Sequence, residues 1–117
     1  MNNEYLNQAT TLLKQARPEL SATHQLEFKN VFGAVGGYVD GTIFITCGKF
    51  GIALRLPAET LGTLFQENDV EQLRYFPKGH IKKEYAVLPK RILDDKPQLE
   101  KLVDESVKYA SSLKITS

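Results

Sequence analysis

Apolar and polar positions divide the chain into segments of helical or strand periodicity. From about residue 3 to residue 17, apolar side chains recur three and four positions apart, as on the buried face of an amphipathic helix. Pro18 disfavours helical geometry at the preceding Arg17, so this first helix is expected to end there. A short connector then leads to Leu26 and Phe28, which alternate with polar residues as in a half-buried strand.

Turn residues divide the next part of the chain into a meander of antiparallel strands. Asp40 and Gly41 separate two apolar runs, and an Asp-Gly pair supplies the positive φ angles that tight hairpin turns need. A second turn at residues 48–49 separates the apolar runs 42–47 and 50–56. Three successive antiparallel strands are therefore predicted, with Gly41 at positive φ.

The second half of the chain returns to helix and then to strand. Pro57 suits the first turn of a helix, and the apolar stripe after it predicts a short helix that ends near Asn68. Apolar residues within 73–76 and 85–88 predict a second hairpin, with its turn at Lys78-Gly79.

A closing helix is expected around Pro97. Asp95 and Gln98 resemble a capping box, and an apolar stripe continues from Leu99 to Leu113. The element order is α-βββ-α-ββ-α, which indicates a single α+β domain over residues 1–117. We expect two layers, with three helices packed on an antiparallel sheet of about five strands. The predicted core residues are Phe28, Phe44, Ile52, Leu54, Leu61, Phe65, Val87, Leu102 and Val103.

Composition places the chain among ordinary globular domains. Of its 117 residues, 42% are hydrophobic and 25% are charged. No segment approaches the roughly 20 apolar residues that a transmembrane helix needs, and the polar N-terminus does not resemble a signal peptide. Cys47 is the only cysteine, so an intrachain disulfide is impossible. We expect a cytoplasmic protein without a membrane partner.

Candidate catalytic and cofactor-binding patterns are weak. The glycine-rich run 33–37 has neither dinucleotide-binding nor P-loop spacing, and it is interpreted as a β-bulge or bend. His24 and His80 have no carboxylate or thiol nearby in sequence that would complete a local site. Cys47 lies in an apolar strand, where a buried small residue is more common than a nucleophile. The sequence therefore predicts no catalytic residue, no metal ligand and no cofactor.

One segment is locally basic although the net charge is only +1. Its residues can contact an acidic partner or phosphates. Alternatively, its lysines lie at an exposed hairpin edge and discourage strands of other molecules from pairing there. Glu84 interrupts the segment, and weak or no nucleic-acid binding is expected. The candidate partner-binding residues are Lys78, His80, Lys82, Lys83, Lys90 and Arg91.

Several motifs together resemble the N-terminal domain family of the TfoX competence regulators. The run 31–41 contains a phenylalanine-glycine pair, a glycine-aromatic strand and an aspartate-glycine turn. The strand 50–56, the aromatic hairpin within 75–89 and the helix entry 94–99 follow in register. The resemblance implies a two-layer fold similar to that of secretion chaperones, and it implies no catalytic residues. Full-length regulators continue from this domain into a second one, and the motifs of this chain match only the first. We therefore expect a stand-alone N-terminal domain.

Three functional hypotheses follow from the residues and the resemblance. The first is a non-catalytic regulatory module that acts through an unknown protein partner or as a homodimer. The second is a nucleic-acid-binding accessory protein that uses the basic segment 78–91, against which the near-neutral net charge counts. The third is an enzyme whose site is assembled across the fold.

Overall fold

The computed structural model describes residues 2–113, which contain five helices and six strands. In chain order they are α1 (Asn3–Ala16), α2 (Leu20–Thr23), β1 (Leu26–Val31), β2 (Ala34–Val39), β3 (Thr42–Gly48), β4 (Gly51–Arg55), α3 (Ala58–Leu64), β5 (Glu71–Leu73), β6 (Lys82–Val87), α4 (Lys90–Leu93) and α5 (Lys96–Leu113).

The strands form one antiparallel sheet in the order β1-β2-β3-β4-β6-β5. Helices α1 and α5 pack on one face of this sheet, α1 over β2 and β3 and α5 mainly over β3 and β4. The expected α+β class and its two layers are confirmed. Across residues 2–113, the structure has no helix with the length and apolar character needed to cross a membrane.

Both long helices begin at polar caps. The Asn2 side chain accepts hydrogen bonds from the backbone N–H groups of Glu4 and Tyr5, at 2.9 and 3.2 Å. At the start of α5, the Asp95 carboxylate accepts a hydrogen bond from the Gln98 backbone N–H at 3.3 Å. The cap expected at Asp95 is therefore confirmed.

The sheet has one strand more than the sequence predicted because the chain reverses at residues 32–33. Phe32 has a φ of 50° and Gly33 a φ of 82°, and together they form a two-residue turn between β1 and β2. Asp40 and Gly41 form the predicted second turn in the same way, with φ angles of 49° and 88°. An aromatic residue rarely adopts positive φ, so the first turn was not predicted.

Other boundaries also differ from the predictions. Strand β5 ends at Leu73, and Tyr75 lies beyond it, partly buried against apolar residues of the sheet. Helix α3 ends at Leu64 rather than near Asn68, and successive turns follow it. The connector before β1 contains the single turn of α2, and α4 adds another single helical turn after Pro89. These two short helices account for the count of five instead of three.

Apolar side chains form one cluster on each face of the sheet. The larger lies beneath α1 and α5 and contains most of the predicted core, including the fully buried Phe44 and the buried Leu102. Phe28, Ile52 and Phe65 pack against it with partial exposure. Val87 was predicted in this core but belongs to the smaller cluster on the opposite face, since successive strand residues point to opposite sides.

A β-bulge places one residue of β3 outside the regular pairing with β2. Gly37 pairs with Ile45 and Tyr38 pairs with Ile43, which leaves Phe44 without a partner on β2. The buried Ser106 hydroxyl of α5 lies 2.8 Å from the Phe44 carbonyl oxygen and 2.7 Å from that of Arg55. Ser106 has a single hydroxyl proton, which the carbonyl groups of Phe44 on β3 and Arg55 on β4 share, and it links α5 to both strands. An irregularity in the run 33–37 was expected, and the register shift falls within Gly37/Tyr38.

Candidate functional site

The turn between β1 and β2 carries a bulky aromatic side chain in an unfavourable backbone conformation. Two-residue hairpin turns with positive φ at both positions favour Asn, Asp and Gly. Asp40 fits this preference, and its carboxylate accepts a hydrogen bond from the Gln25 backbone N–H at 2.8 Å. Phe32 does not fit it, and its side chain remains 64% exposed. Because left-handed geometry is costly for such a residue, its occurrence at an exposed turn marks a candidate functional position.

Four aromatic rings meet around this turn. The ring centroid of Tyr75 lies 5.4 Å from that of Phe32 and 5.6 Å from that of Phe50. The centroids of Phe32 and Phe76 are 6.2 Å apart, in an edge-on arrangement. These distances are within the usual range of aromatic pairs. We call the site that Phe32, Phe50, Tyr75 and Phe76 form the aromatic cleft.

The cleft has an anchored floor and an exposed rim. Tyr75 donates a hydrogen bond to the hydroxyl of buried Thr46 at 3.4 Å, and burial raises the pKa of the Tyr75 phenol. Tyr75 also packs on the smaller apolar cluster of the sheet. Phe32 and Phe76 are more than half exposed, at 64% and 56%. The structure therefore holds the exposed rings on a fixed base, without burying them.

Positive charge borders the aromatic cleft. The aromatic cleft has a volume of about 410 Å³, and Lys49 is the only charged residue that lines it in the described part of the chain. The Lys82 ammonium lies 5.9 Å from the ring centroids of both Phe32 and Tyr75, within range of cation–π attraction. Apolar rings next to lysines favour a ligand that combines an apolar group with negative charge.

Clefts of similar size on the helical side lack this combination. One of about 550 Å³ lies between α1 and α4, lined by residues of both charges such as Lys14 and Asp94. Another of about 440 Å³ lies between α3 and α5 and includes Glu59 and Glu105. Neither presents an aromatic ring, so the aromatic cleft is the stronger candidate site.

The structure divides the predicted basic residues between two places. Lys78 and His80 lie in the loop before β6, and Lys82 and Lys83 are the first residues of that strand. Lysines at an exposed hairpin edge were one of the two interpretations of this segment. Strand β6, which carries Lys82 and Lys83, lies between β4 and β5, so the edge strand of this hairpin is β5 and not β6.

Lys90 and Arg91 lie beyond the far end of β6, on α4, and six strand residues span roughly 20 Å. They also have acidic partners of their own. Lys90 Nζ lies 2.6 Å from the Asp94 carboxylate. Arg91 lies 2.6 Å from carboxylate oxygens of both Asp69 and Glu67, and the hydrogen bond from Arg91 lowers the pKa of Asp69. The basic segment therefore does not form one continuous patch.

A second polar cluster links β4, β6 and α5. Arg55 Nη2 lies 2.8 Å from the Glu84 carboxylate, which also accepts a hydrogen bond from the Tyr109 hydroxyl. Both hydrogen bonds lower the pKa of Glu84, and the one from Tyr109 has the larger effect. Glu84 is thus engaged within the fold and is no free carboxylate beside the basic residues.

The groups considered for catalysis are not brought together. Cys47 is fully buried, and burial raises the pKa of its thiol to about 12. The Nδ1 atom of His24 lies 2.8 Å from the hydroxyl of its neighbour Thr23. Within residues 2–113, no group of three His, Cys, Asp or Glu side chains is placed to hold a metal ion.

The aromatic cleft itself was not predicted as a site from the sequence. The apolar pattern predicts a strand at Tyr75 and Phe76 and the start of another strand at Phe50. Aromatic residues beside glycine or proline between apolar runs, as in Phe32-Gly33 and Phe76-Pro77, were the available signal. Gly, Pro, Asn, Asp and Ser dominate turns, so a phenylalanine at a turn position is unusual.

Comparison with known proteins gives one family match. The model described as the TfoX N-terminal domain matches residues 19–110, which begins just before α2 and ends within α5. No curated protein matches the chain.

Proposed function

The chain belongs to the TfoX N-terminal domain family, and from this premise we propose that it is a non-catalytic interaction module whose aromatic cleft binds a protein partner. This domain is found in competence regulators, and its family is a regulatory one without known enzymatic activity. The observation that carries the proposal is Phe32, which is exposed and held at positive φ in a hairpin turn. A binding role explains an aromatic residue at a turn where Asn or Asp would be less strained.

The chemistry of the aromatic cleft favours a particular kind of partner. Phe32 and Phe76 offer exposed apolar surface, and aromatic side chains contribute strongly to protein interfaces. Lys49 and Lys82 lie beside them, with no carboxylate among the cleft-lining residues of the described chain. We therefore expect a protein segment with an apolar side chain next to Asp or Glu.

Nucleic acid is the alternative ligand, and the charge distribution counts against it. Phosphate binding grows with the number of clustered cations. Arg91 and Lys90 are paired with carboxylates, while Lys78, Lys82 and Lys83 form no ion pair within residues 2–113. Three lysines give a small footprint on a chain with a net charge of +1. We expect duplex DNA to bind no tighter than about 100 μM at physiological salt.

Selection from a random peptide library tests the proposal directly, because it requires no identified partner. We expect the wild-type domain to enrich peptides with an apolar residue beside Asp or Glu. Phe32→Asn and Phe76→Ser should each weaken binding of those peptides at least about tenfold, as expected for central aromatic contacts. Leu113→Asn is the matched control, since Leu113 is an exposed apolar residue on α5, 37% accessible, that does not line the cleft.

Two outcomes would contradict the proposal. One is enrichment of peptides that bind Phe32→Asn as tightly as the wild type. The other is salt-sensitive binding of a single-stranded oligonucleotide that is tighter than binding of any enriched peptide and is lost in Phe32→Asn. The second result would make nucleic-acid recognition the function of the aromatic cleft.

A further inference from the structure

Strand β1 forms an open edge of the sheet. It pairs only with β2, and no other element within residues 2–113 pairs with its outer side. The two-residue turn makes Val31 and Ala34 the hydrogen-bonded pair that closes the hairpin. Backbone groups of the odd-numbered residues of β1 therefore point to β2, in agreement with the hydrogen bond from Asp40 N–H to the Gln25 carbonyl. Those of Leu26, Phe28 and Asn30 point to the open side.

We propose that this edge pairs with β1 of a second copy of the chain, in antiparallel register centred on Phe28, to form a homodimer with one continuous sheet. In this register Phe28 faces Phe28 of the second copy, and Leu26 faces Asn30 in both directions. The outward N–H and C=O groups of all three residues then meet their counterparts. Every exposed backbone group of the edge gains a hydrogen-bond partner.

Side-chain charge selects this register over its neighbours. Glu27 and Lys29 are exposed and lie on the same face of β1, opposite Tyr38 and Gly36 of β2. Pairing centred on Phe28 places Glu27 directly opposite Lys29 of the second copy, twice in the dimer. These are non-hydrogen-bonded pairs, in which the facing side chains are closest.

Adjacent registers with the correct backbone alignment are centred on residue 27 or 29. A pairing centred on residue 27 places Glu27 opposite Glu27, and one centred on residue 29 places Lys29 opposite Lys29. Like charges directly opposite are unfavourable in antiparallel sheets. A register displaced by a single residue fails for another reason, because outward backbone groups would then face inward-directed ones.

The inner face of the edge agrees with a symmetric pairing. Phe28 packs against the main core but remains partly exposed, so it has apolar surface that a second Phe28 can cover. Lys29 now lies over the Tyr38 ring, 5.1 Å from its centroid, next to the position that Glu27 of the second copy would occupy. Since the contact involves one short strand, we expect a concentration-dependent dimer.

Sedimentation equilibrium over a series of protein concentrations tests the proposal on the full chain. The wild type should approach twice the 13.2 kDa chain mass as concentration rises. Glu27→Lys and Lys29→Glu should each weaken self-association at least about tenfold, because each converts both facing pairs into like-charge pairs. Far-UV circular dichroism should show both variants folded, since the two side chains are exposed.

Charge exchange provides the decisive control. The double variant Glu27→Lys/Lys29→Glu restores opposite charges and should dimerise as the wild type does. An equimolar mixture of the two single variants should also dimerise, because each then faces its complement. A wild type that stays monomeric at every concentration up to its solubility limit would overturn the proposal. So would a dimer that is insensitive to the single reversals or is not rescued by the exchange.

This surface is independent of the aromatic cleft. Phe32→Asn should leave the sedimentation behaviour unchanged, and Glu27→Lys should leave binding of the selected peptides unchanged. Failure of one proposal is therefore distinguishable from failure of the other.

Discussion

Replacing Phe32 by Asn separates a functional role of this residue from a structural one. Phe32 occupies the first position of a hairpin turn at a φ of 50°, where Asn is well accommodated. The substitution therefore removes an exposed aromatic ring and at the same time relieves backbone strain. Asp40, at the equivalent position of the next turn with a φ of 49°, shows a favourable residue in the same conformation.

The opposing free-energy contributions are similar in size. Left-handed geometry costs an ordinary L-residue about 1–2 kcal/mol, much of which Asn would recover. Phe32 is 64% exposed, so about a third of its surface is covered. Full burial of a phenylalanine is worth about 1.5–3 kcal/mol, which gives roughly 0.5–1 kcal/mol for a third. Its ring contacts with Tyr75 and Phe76 add about 0.5–1.5 kcal/mol each. We therefore expect the free energy of unfolding to fall by less than about 2 kcal/mol.

Urea denaturation of Phe32→Asn and Phe44→Ala provides the comparison. Phe44 is fully buried, and its truncation should cost about 3–5 kcal/mol. A change of 1 kcal/mol corresponds to a midpoint shift of roughly 0.3–1 M urea. If Phe32→Asn loses more than about 2 kcal/mol, Phe32 is a packing residue and the reasoning that assigns it to binding is refuted.

Two further predictions concern contacts between α5 and the sheet. Ser106→Ala should lower the free energy of unfolding by about 1–3 kcal/mol, because it removes the one buried hydroxyl proton that the carbonyl groups of Phe44 and Arg55 share; an unchanged urea midpoint would contradict this role. Glu84 has a lowered pKa in the folded state, so its contribution to stability is complete above its unfolded-state pKa of about 4.5 and is lost as pH falls through the folded-state value. Glu84→Gln should therefore reduce stability at neutral pH and flatten the loss of stability on acidification, with Glu59→Gln as the exposed control; parallel pH profiles for wild type and Glu84→Gln would exclude this linkage.

The sequence predicts the fold well wherever local patterns and long-range packing agree. Asp40-Gly41 has both the turn residues and the flanking strands, and Gly41 has the expected positive φ of 88°. The stripe of α5 likewise gives its buried face, with Leu102 and Ser106 inside, although Leu113 at its end is 37% exposed. Such features depend on periodicity and turn chemistry, which are local properties of the chain.

The aromatic cleft depends on information that is not local. Phe32 adopts a conformation that its residue type disfavours, so its propensity predicts the wrong structure. Phe50 and Tyr75 meet only because the strand order brings two turns and the loop after β5 to the same face. The pairing of Arg91 with Glu67 and Asp69 also spans more than 20 residues, so the basic segment looked more continuous in sequence than it is in space.

The most direct test of the central claim maps where a selected peptide binds. Backbone amide shifts of the isotopically labelled domain should be recorded during titration with an enriched apolar–acidic peptide and with its charge-reversed counterpart. We predict that the acidic peptide shifts amides within 32–34, 49–50 and 74–78, and that the charge-reversed peptide shifts them far less. Shifts concentrated on α1 and α5, or equal shifts for both peptides, would contradict the assignment of the aromatic cleft as the binding site.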